Sequence, residues 1–126
     1  MKELTKAEEQ LMKFLWKLER AHLKEIVESY PTPRPAYTTI STVVNVLVKK
    51  GFINYQSHGK VREYFPALSR QQYLAQNLGT LVKGFFDDSP KKFASFFTQN
   101  QDMTLSELQE IRALIDDEIK KQKTSL

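Results

Sequence analysis

The 126-residue chain contains no cysteine. Disulfides, thiolate metal sites and a cysteine nucleophile are excluded with it. Histidine is scarce as well: His22 and His58 stand far apart with no carboxylate at ligand spacing, so no metal or other cofactor is expected. Four dispersed glycines cannot form a phosphate-cradling loop, and two isolated histidines cannot form a Ser/His/Asp arrangement, so an enzyme is not expected. No apolar run approaches the roughly 18 residues of a membrane-spanning helix. The opening "MKELTKAEEQ" lacks the hydrophobic stretch of a signal peptide. A cytoplasmic protein without membrane insertion is the expectation.

Acidic residues are nearly missing from one region. Residues 31–68 carry Arg34, Lys49, Lys50, Lys60 and Arg62 against Glu63 alone, while residues 1–30 and 69–126 balance their charges. The net charge of +4 therefore lies in the central segment. Localised positive charge suggests a polyanion as partner, with an ordinary surface surplus as the alternative.

The length suits one domain, or one domain with an appendage. In "LTKAEEQLMKFLWKL", Thr5 and Glu8 stand at capping-box spacing, and Ala7, Leu11, Phe14, Leu15 and Leu18 share a helical face. After a break at "ERAH", "LKEIVESY" reads as a second helix with Leu23, Ile26 and Val27 inward. The prolines of "YPTPRP" impose a stiff connection. A third helix is expected over Ala36–Lys50, seated by Tyr37, Ile40, Val43, Val44, Leu47 and Val48 and ended by Gly51. Two β-prone runs, Phe52–Gln56 and Val61–Phe65, flank "SHGK" with Gly59 at the turn. Helix, helix, helix, hairpin is the order of a winged helix-turn-helix. The predicted fold is mainly α with a small β-hairpin wing, over residues 1–68, followed by a helical dimerisation region over 69–126. Ser69 with Gln72, and Thr104 with Glu107, are further capping boxes, and Pro90 marks the start of a helix between them. Leu74, Leu78, Leu81, Val82 and Phe85 share a face of the first of these helices, and the tail "KKQKTSL" is expected to fray.

The third helix has an unusual outer face. Thr38, Ser41, Thr42, Asn45 and Lys49 fall at i, i+3, i+4, i+7 and i+11, a polar stripe uncharged until its last turn. In a helix-turn-helix this face enters the major groove. Asparagine there can pair bidentately with adenine, and threonine and serine bond to several bases. Thr38, Thr39, Ser41, Thr42 and Asn45 are the candidate base readers, and Arg34, Lys49, Lys60 and Arg62 the candidate phosphate contacts. A solvated face, as in winged helices that bind only proteins, is the alternative.

Five of the eight phenylalanines lie between Phe85 and Phe97, on helices too few to bury them in one chain. Such an apolar set points to an interface, and a symmetric dimer is the commonest solution. Phe85, Phe93, Phe96, Phe97, Leu108, Ile111, Leu114, Ile115 and Ile119 are the candidate dimerisation residues. A compact monomer and a small-molecule-responsive regulator with an apolar pocket near Phe85–Phe97 are the alternatives. The acidic clusters Asp87–Asp88 and Asp116–Asp117–Glu118 sit among lysines and read as solvated faces.

"LTKAEEQLMKFLW", "TTISTVVNVLVKKGFI" and "GKVREYFPALS" resemble, in order and spacing, the penicillinase-repressor family of bacterial winged-helix repressors (the BlaI/MecI type). The resemblance is specific over Leu4–Ser69 and looser beyond. It implies a homodimer, held by C-terminal helices, that occupies a palindromic operator and blocks transcription of genes of the antibiotic-resistance type. Thr39, Ile40, Thr42, Leu47, Lys49, Lys50, Gly51 and Phe52 match the family, so Thr39 and Thr42 inherit DNA contacts by resemblance. Ser41 and Val46 depart from it, where relatives that control beta-lactamases tend to carry basic residues. Induction in similar proteins involves cleavage by a membrane-bound sensor protease at an Asn–Phe bond. That bond aligns with Phe96–Phe97, where the Asn is missing. A copper-sensing branch uses a cysteine motif, a route closed to this chain.

Overall fold

The computed structural model describes residues 3–126. The elements run α1 (Lys6–Leu18), β1 (Ala21–His22), α2 (Leu23–Ser29), α3 (Tyr37–Lys50), β2 (Ile53–His58), β3 (Val61–Pro66), α4 (Arg70–Phe85), α5 (Pro90–Asn100) and α6 (Leu105–Ser125). The strands form one antiparallel sheet in the order β1-β3-β2. Helices with a small hairpin are thus the architecture, as the residue pattern predicts. Backbone packing divides the chain into two compact units that meet inside α4, one reaching to Leu78 and the other running over Gly79–Leu126.

The first unit closes around Leu11, Met12 and Leu15 of α1, Ile26 of α2, Ile40, Val44 and Leu47 of α3, and Phe52 and Ile53 beyond it, all essentially sealed from solvent. Tyr64, Leu68 and Tyr73 extend this core to the start of α4. The Tyr73 ring lies 5.5 Å from Trp16 and 6.0 Å from Phe52, centroid to centroid, while the Trp16 indole donates to the Leu68 carbonyl at 3.0 Å. Burial of these rings, each large in apolar area, is what holds a β-branched helix such as α3 that has little intrinsic helicity.

Local signals set the boundaries. Thr5 and Glu8 close the first capping box at 2.9 and 3.2 Å, Ser69 with Gln72 the second at 2.8 and 3.0 Å, and Thr104 with Glu107 the third at 2.9 and 3.1 Å. The Ser89 hydroxyl accepts from the Lys92 N–H one residue before Pro90. Gly51, at φ 86°, ends α3: its N–H reaches the Val48 carbonyl at 3.1 Å and the Phe52 N–H reaches Leu47 at 3.0 Å. This paired closure needs a left-handed residue, which glycine supplies without steric cost.

Several expectations are corrected. The "ERAH" break contains β1, whose Ala21 and His22 pair with Tyr64 and Glu63 of β3, so the sheet has a third strand. Phe52 precedes β2 as a core residue instead of opening the strand, and β2 extends to His58. Ala7 and Leu18 lie outside, because the buried line of α1 is Glu8, Leu11, Met12 and Leu15. Tyr37 is 54% exposed, since the proline connection over residues 31–36 is exposed throughout and offers nothing to pack beneath. The C-terminal tail stays helical to Ser125, where the Thr124 and Ser125 hydroxyls both donate to the Lys121 carbonyl at 2.9 Å.

Candidate nucleic-acid interface

Rotation by about 100° per residue, the consequence of 3.6 residues per turn, separates the faces of α3. With Ile40, Val44 and Leu47 inward, Thr38, Thr39, Thr42, Asn45 and Lys49 are exposed and Ser41 is half-buried. The Thr42 hydroxyl donates to the Thr38 carbonyl at 2.9 Å. Its proton is thereby used, and what Thr42 presents outward is a methyl group and acceptor lone pairs. The Asn45 side chain has no hydrogen-bond partner among the described residues, so both halves of its amide are available.

The wing stands beside this face. His58 opposes Val61, so Gly59 and Lys60 make a two-residue turn, with Gly59 at φ 66° in the first central position. Such a turn matches the twist of the flanking strands and projects Lys60 at the tip. Strand alternation puts Arg62 on the same side of the sheet as Tyr55, and its guanidinium lies 4.3 Å from the Tyr55 ring centroid. His22 Nδ1 donates to the Arg62 carbonyl at 2.9 Å; a carbonyl only accepts, so the ring carries its proton on Nδ1.

Helix and wing meet in an open depression of about 470 Å³, lined among others by His22, Lys24, Tyr37, Ser41, Asn45, Lys60 and Arg62. Four predicted site residues, Ser41, Asn45, Lys60 and Arg62, come together there. Thr38, Thr42 and Lys49 stand on the outer face of α3, Thr39 on its flank, and Arg34 on the exposed connection before it. His22, Lys24 and Tyr55 join the site without any signal in the local sequence, because each gets its place from α2 or the sheet, and Tyr37 joins it from the first turn of α3.

The charge of the central segment is redistributed in space. Lys50 turns away from the interface to meet Glu8, Nζ to Oε1 2.7 Å, in a largely buried ion pair. Burial pushes the Glu8 carboxyl up, but the Lys50 ammonium and the Thr5 backbone N–H outweigh it and hold it below the usual carboxylate range. Glu63, the segment's one acid, is engaged by Arg20, Nε to Oε1 3.0 Å. Arg34, Lys49, Lys60 and Arg62 are left facing solvent with no carboxylate partner among the described residues. Among the described residues no three His, Asp or Glu side chains gather as metal ligands would, and no helix is long and apolar enough to cross a membrane.

The second unit offers a different surface. Phe85, Phe96, Phe97, Leu108, Leu114, Ile115 and Ile119 are exposed, Phe85 by 80%, while Phe93 and Ile111 are half-buried. Phe86, Phe93, Phe96 and Phe97 form a ring cluster with centroids 5.4–6.1 Å apart. Phe96 and Phe97 lie inside α5, preceded by Ser95.

An exposed helix carrying threonine, serine and asparagine, flanked by unpaired cations and a basic hairpin, has the chemistry for base edges and for phosphates. The penicillinase repressor family model matches residues 4–117. A penicillinase repressor of Bacillus licheniformis is 23% identical over 116 residues, covering 91% of each chain. The methicillin resistance regulatory protein MecI of Mammaliicoccus sciuri is 22% identical over 115 residues, covering 90% of this chain and 94% of its own. The solved DNA-binding domain of the repressor BlaI superposes with a TM-score of 0.50 at 30% identity, covering 58% of this chain and 94% of that domain. The chain belongs to the penicillinase repressor family, and its first unit is the winged helix of a DNA-binding repressor.

Proposed function

We propose that the protein represses transcription as a homodimer on a palindromic operator, each winged unit reading one half-site. α3 lies in the major groove, with Thr38, Thr39, Ser41, Thr42 and Asn45 toward base edges. Arg34, Lys49, Lys60 and Arg62 bind phosphates on either side and fix the register. The observation that carries this reading is the concave junction of α3 and wing, where the unpaired Asn45 amide and the cations Lys60 and Arg62 share one depression. The exposed apolar residues from Phe85 to Ile119 supply the dimer contact, which joins two half-sites into one. Uncharged Ser41 and Val46 give α3 a less basic contact surface than the beta-lactamase regulators tend to have, which entails a different operator or weaker binding. The Asn–Phe bond cut by the sensor protease of similar proteins has no counterpart at Phe96–Phe97, where Phe96 takes the place of the Asn.

Asn45→Ala tests the base-reading role. It is expected to cost about 1–3 kcal/mol on the operator and little on random duplex, as measured by fluorescence titration. Equal losses on both would remove Asn45 from the base readers.

A further inference from the structure

On the side of the hairpin away from Arg62, Arg20 binds both strands at once. Its Nε donates to Glu63 Oε1 at 3.0 Å and its Nη2 to Gln56 Oε1 at 2.6 Å, and its guanidinium carbon sits 4.4 Å from the Phe65 ring centroid. Gln56 and Glu63 are direct cross-strand partners, so one side chain bridges β2 and β3 at the step where they face each other. Arg20 itself is anchored by its neighbours: it follows the end of α1, where Glu19 N–H caps the Leu15 carbonyl at 2.8 Å, and precedes β1.

The wing needs such an anchor. A two-stranded hairpin is marginal by itself, and β1 pairs with only Tyr64 and Glu63, leaving the tip from Ser57 to Arg62 held by the hairpin ladder and by the His22 bond to the Arg62 carbonyl at its base. Resting on the DNA-binding reading above, we infer that Arg20 is a positioning residue for DNA recognition: it clamps the wing to the α1–β1 corner so that Lys60 and Arg62 are held at the phosphates. Arg20 also neutralises Glu63, which would otherwise stand as a carboxylate one residue from Arg62 and repel the backbone. Arginine suits this role, since its planar fork serves two acceptors while its face stacks on a ring, which lysine cannot do.

Full-length protein separates this role from a direct contact. In the free protein, Arg20→Ala is expected to speed amide exchange severalfold over residues 57–62 while α1 and α3 amides stay protected; unchanged exchange at the tip would overturn the clamp. Arg20→Lys is expected to restore protection only in part, and full restoration would reduce the role to charge alone and overturn it. On duplex DNA, Lys60→Ala with Arg62→Ala should flatten the slope of log affinity against log salt by about 1 per cation. Arg20→Ala should flatten it as well, and adding it to that pair should cause no further change. An additional loss in the triple variant would make Arg20 a phosphate contact in its own right and overturn the positioning role. Should the wild-type protein bind no duplex in a salt-dependent way, the DNA reading fails, and the exchange experiment still decides the clamp.

Discussion

The last side chain sealed from solvent is Tyr73; before it lies a closed core, and beyond it α5 and α6 bury none. The two units of one chain thus treat apolar residues oppositely. In the first, Leu11, Met12, Leu15, Ile26, Leu47 and Phe52 meet one another. In the second, Leu114, Ile115 and Ile119 line the face of one helix with water against it. Exposed apolar surface of that extent stabilises nothing in an isolated chain and contributes when a complementary surface arrives. The first unit closes over a core of its own, whereas the second leaves its apolar residues uncovered, the surface that the proposed dimer uses.

That contrast can be broken most sharply at its buried end. Phe52→Ala removes a sealed ring contacted by Tyr73 and is expected to cost about 3–5 kcal/mol, the usual range for a core phenylalanine. Urea unfolding followed by Trp16, the chain's single tryptophan, measures it directly. A loss under about 1 kcal/mol, the level of an ordinary surface change, would show that the core does not close there.

A somewhat smaller effect is expected at the ion pair of the same unit. Glu8→Gln leaves the Lys50 ammonium half-enclosed without its carboxylate, which costs on the order of 3 kcal/mol for buried pairs. The Glu8 carboxyl is held below its ordinary range, so its contribution is present at neutral pH and is lost as pH falls through the lowered value. Wild-type stability should therefore drop on acidification more steeply than that of Glu8→Gln. Parallel curves would show the pair to be energetically idle.

The smallest effect on the first unit is expected from the second. Ile115→Glu places a charge on an already exposed position, so the winged unit's own unfolding should shift by no more than about 0.5 kcal/mol. Sedimentation should change instead, from a dimer at micromolar protein to a monomer, with a loss of operator affinity. A monomer already in the wild type would leave the apolar face without its assigned role.

How much of this was legible follows from the range of the interactions. Capping boxes, Gly51, Gly59 and the alternating faces of α3 act over three or four residues, and their spacing in the sequence is their mechanism. β1 leaves no mark in the sequence because two residues carry no periodicity and exist as a strand only through Tyr64 and Glu63, forty-odd positions away. Arg20 lies in a charge-balanced segment, and only folding brings it to Glu63, 43 residues on. Lys50 belongs by sequence to the basic segment, yet its neighbour in space is Glu8, which takes the inward position on α1 that an apolar residue would ordinarily hold. Tyr37 has the spacing of a core residue but stands one turn too early, before any layer covers it. Of the candidate site, the stripe on α3 and the wing cations were readable as residue types; that Ser41 and Asn45 share a depression with Lys60 and Arg62 required the sheet.

Selection of bound duplexes from a random pool by the full-length protein tests the central claim most directly. The account predicts enrichment of an inverted repeat whose half-sites lie about 34 Å apart, or a multiple of that, centre to centre. No enrichment, or a single half-site without its inverted copy, would contradict it.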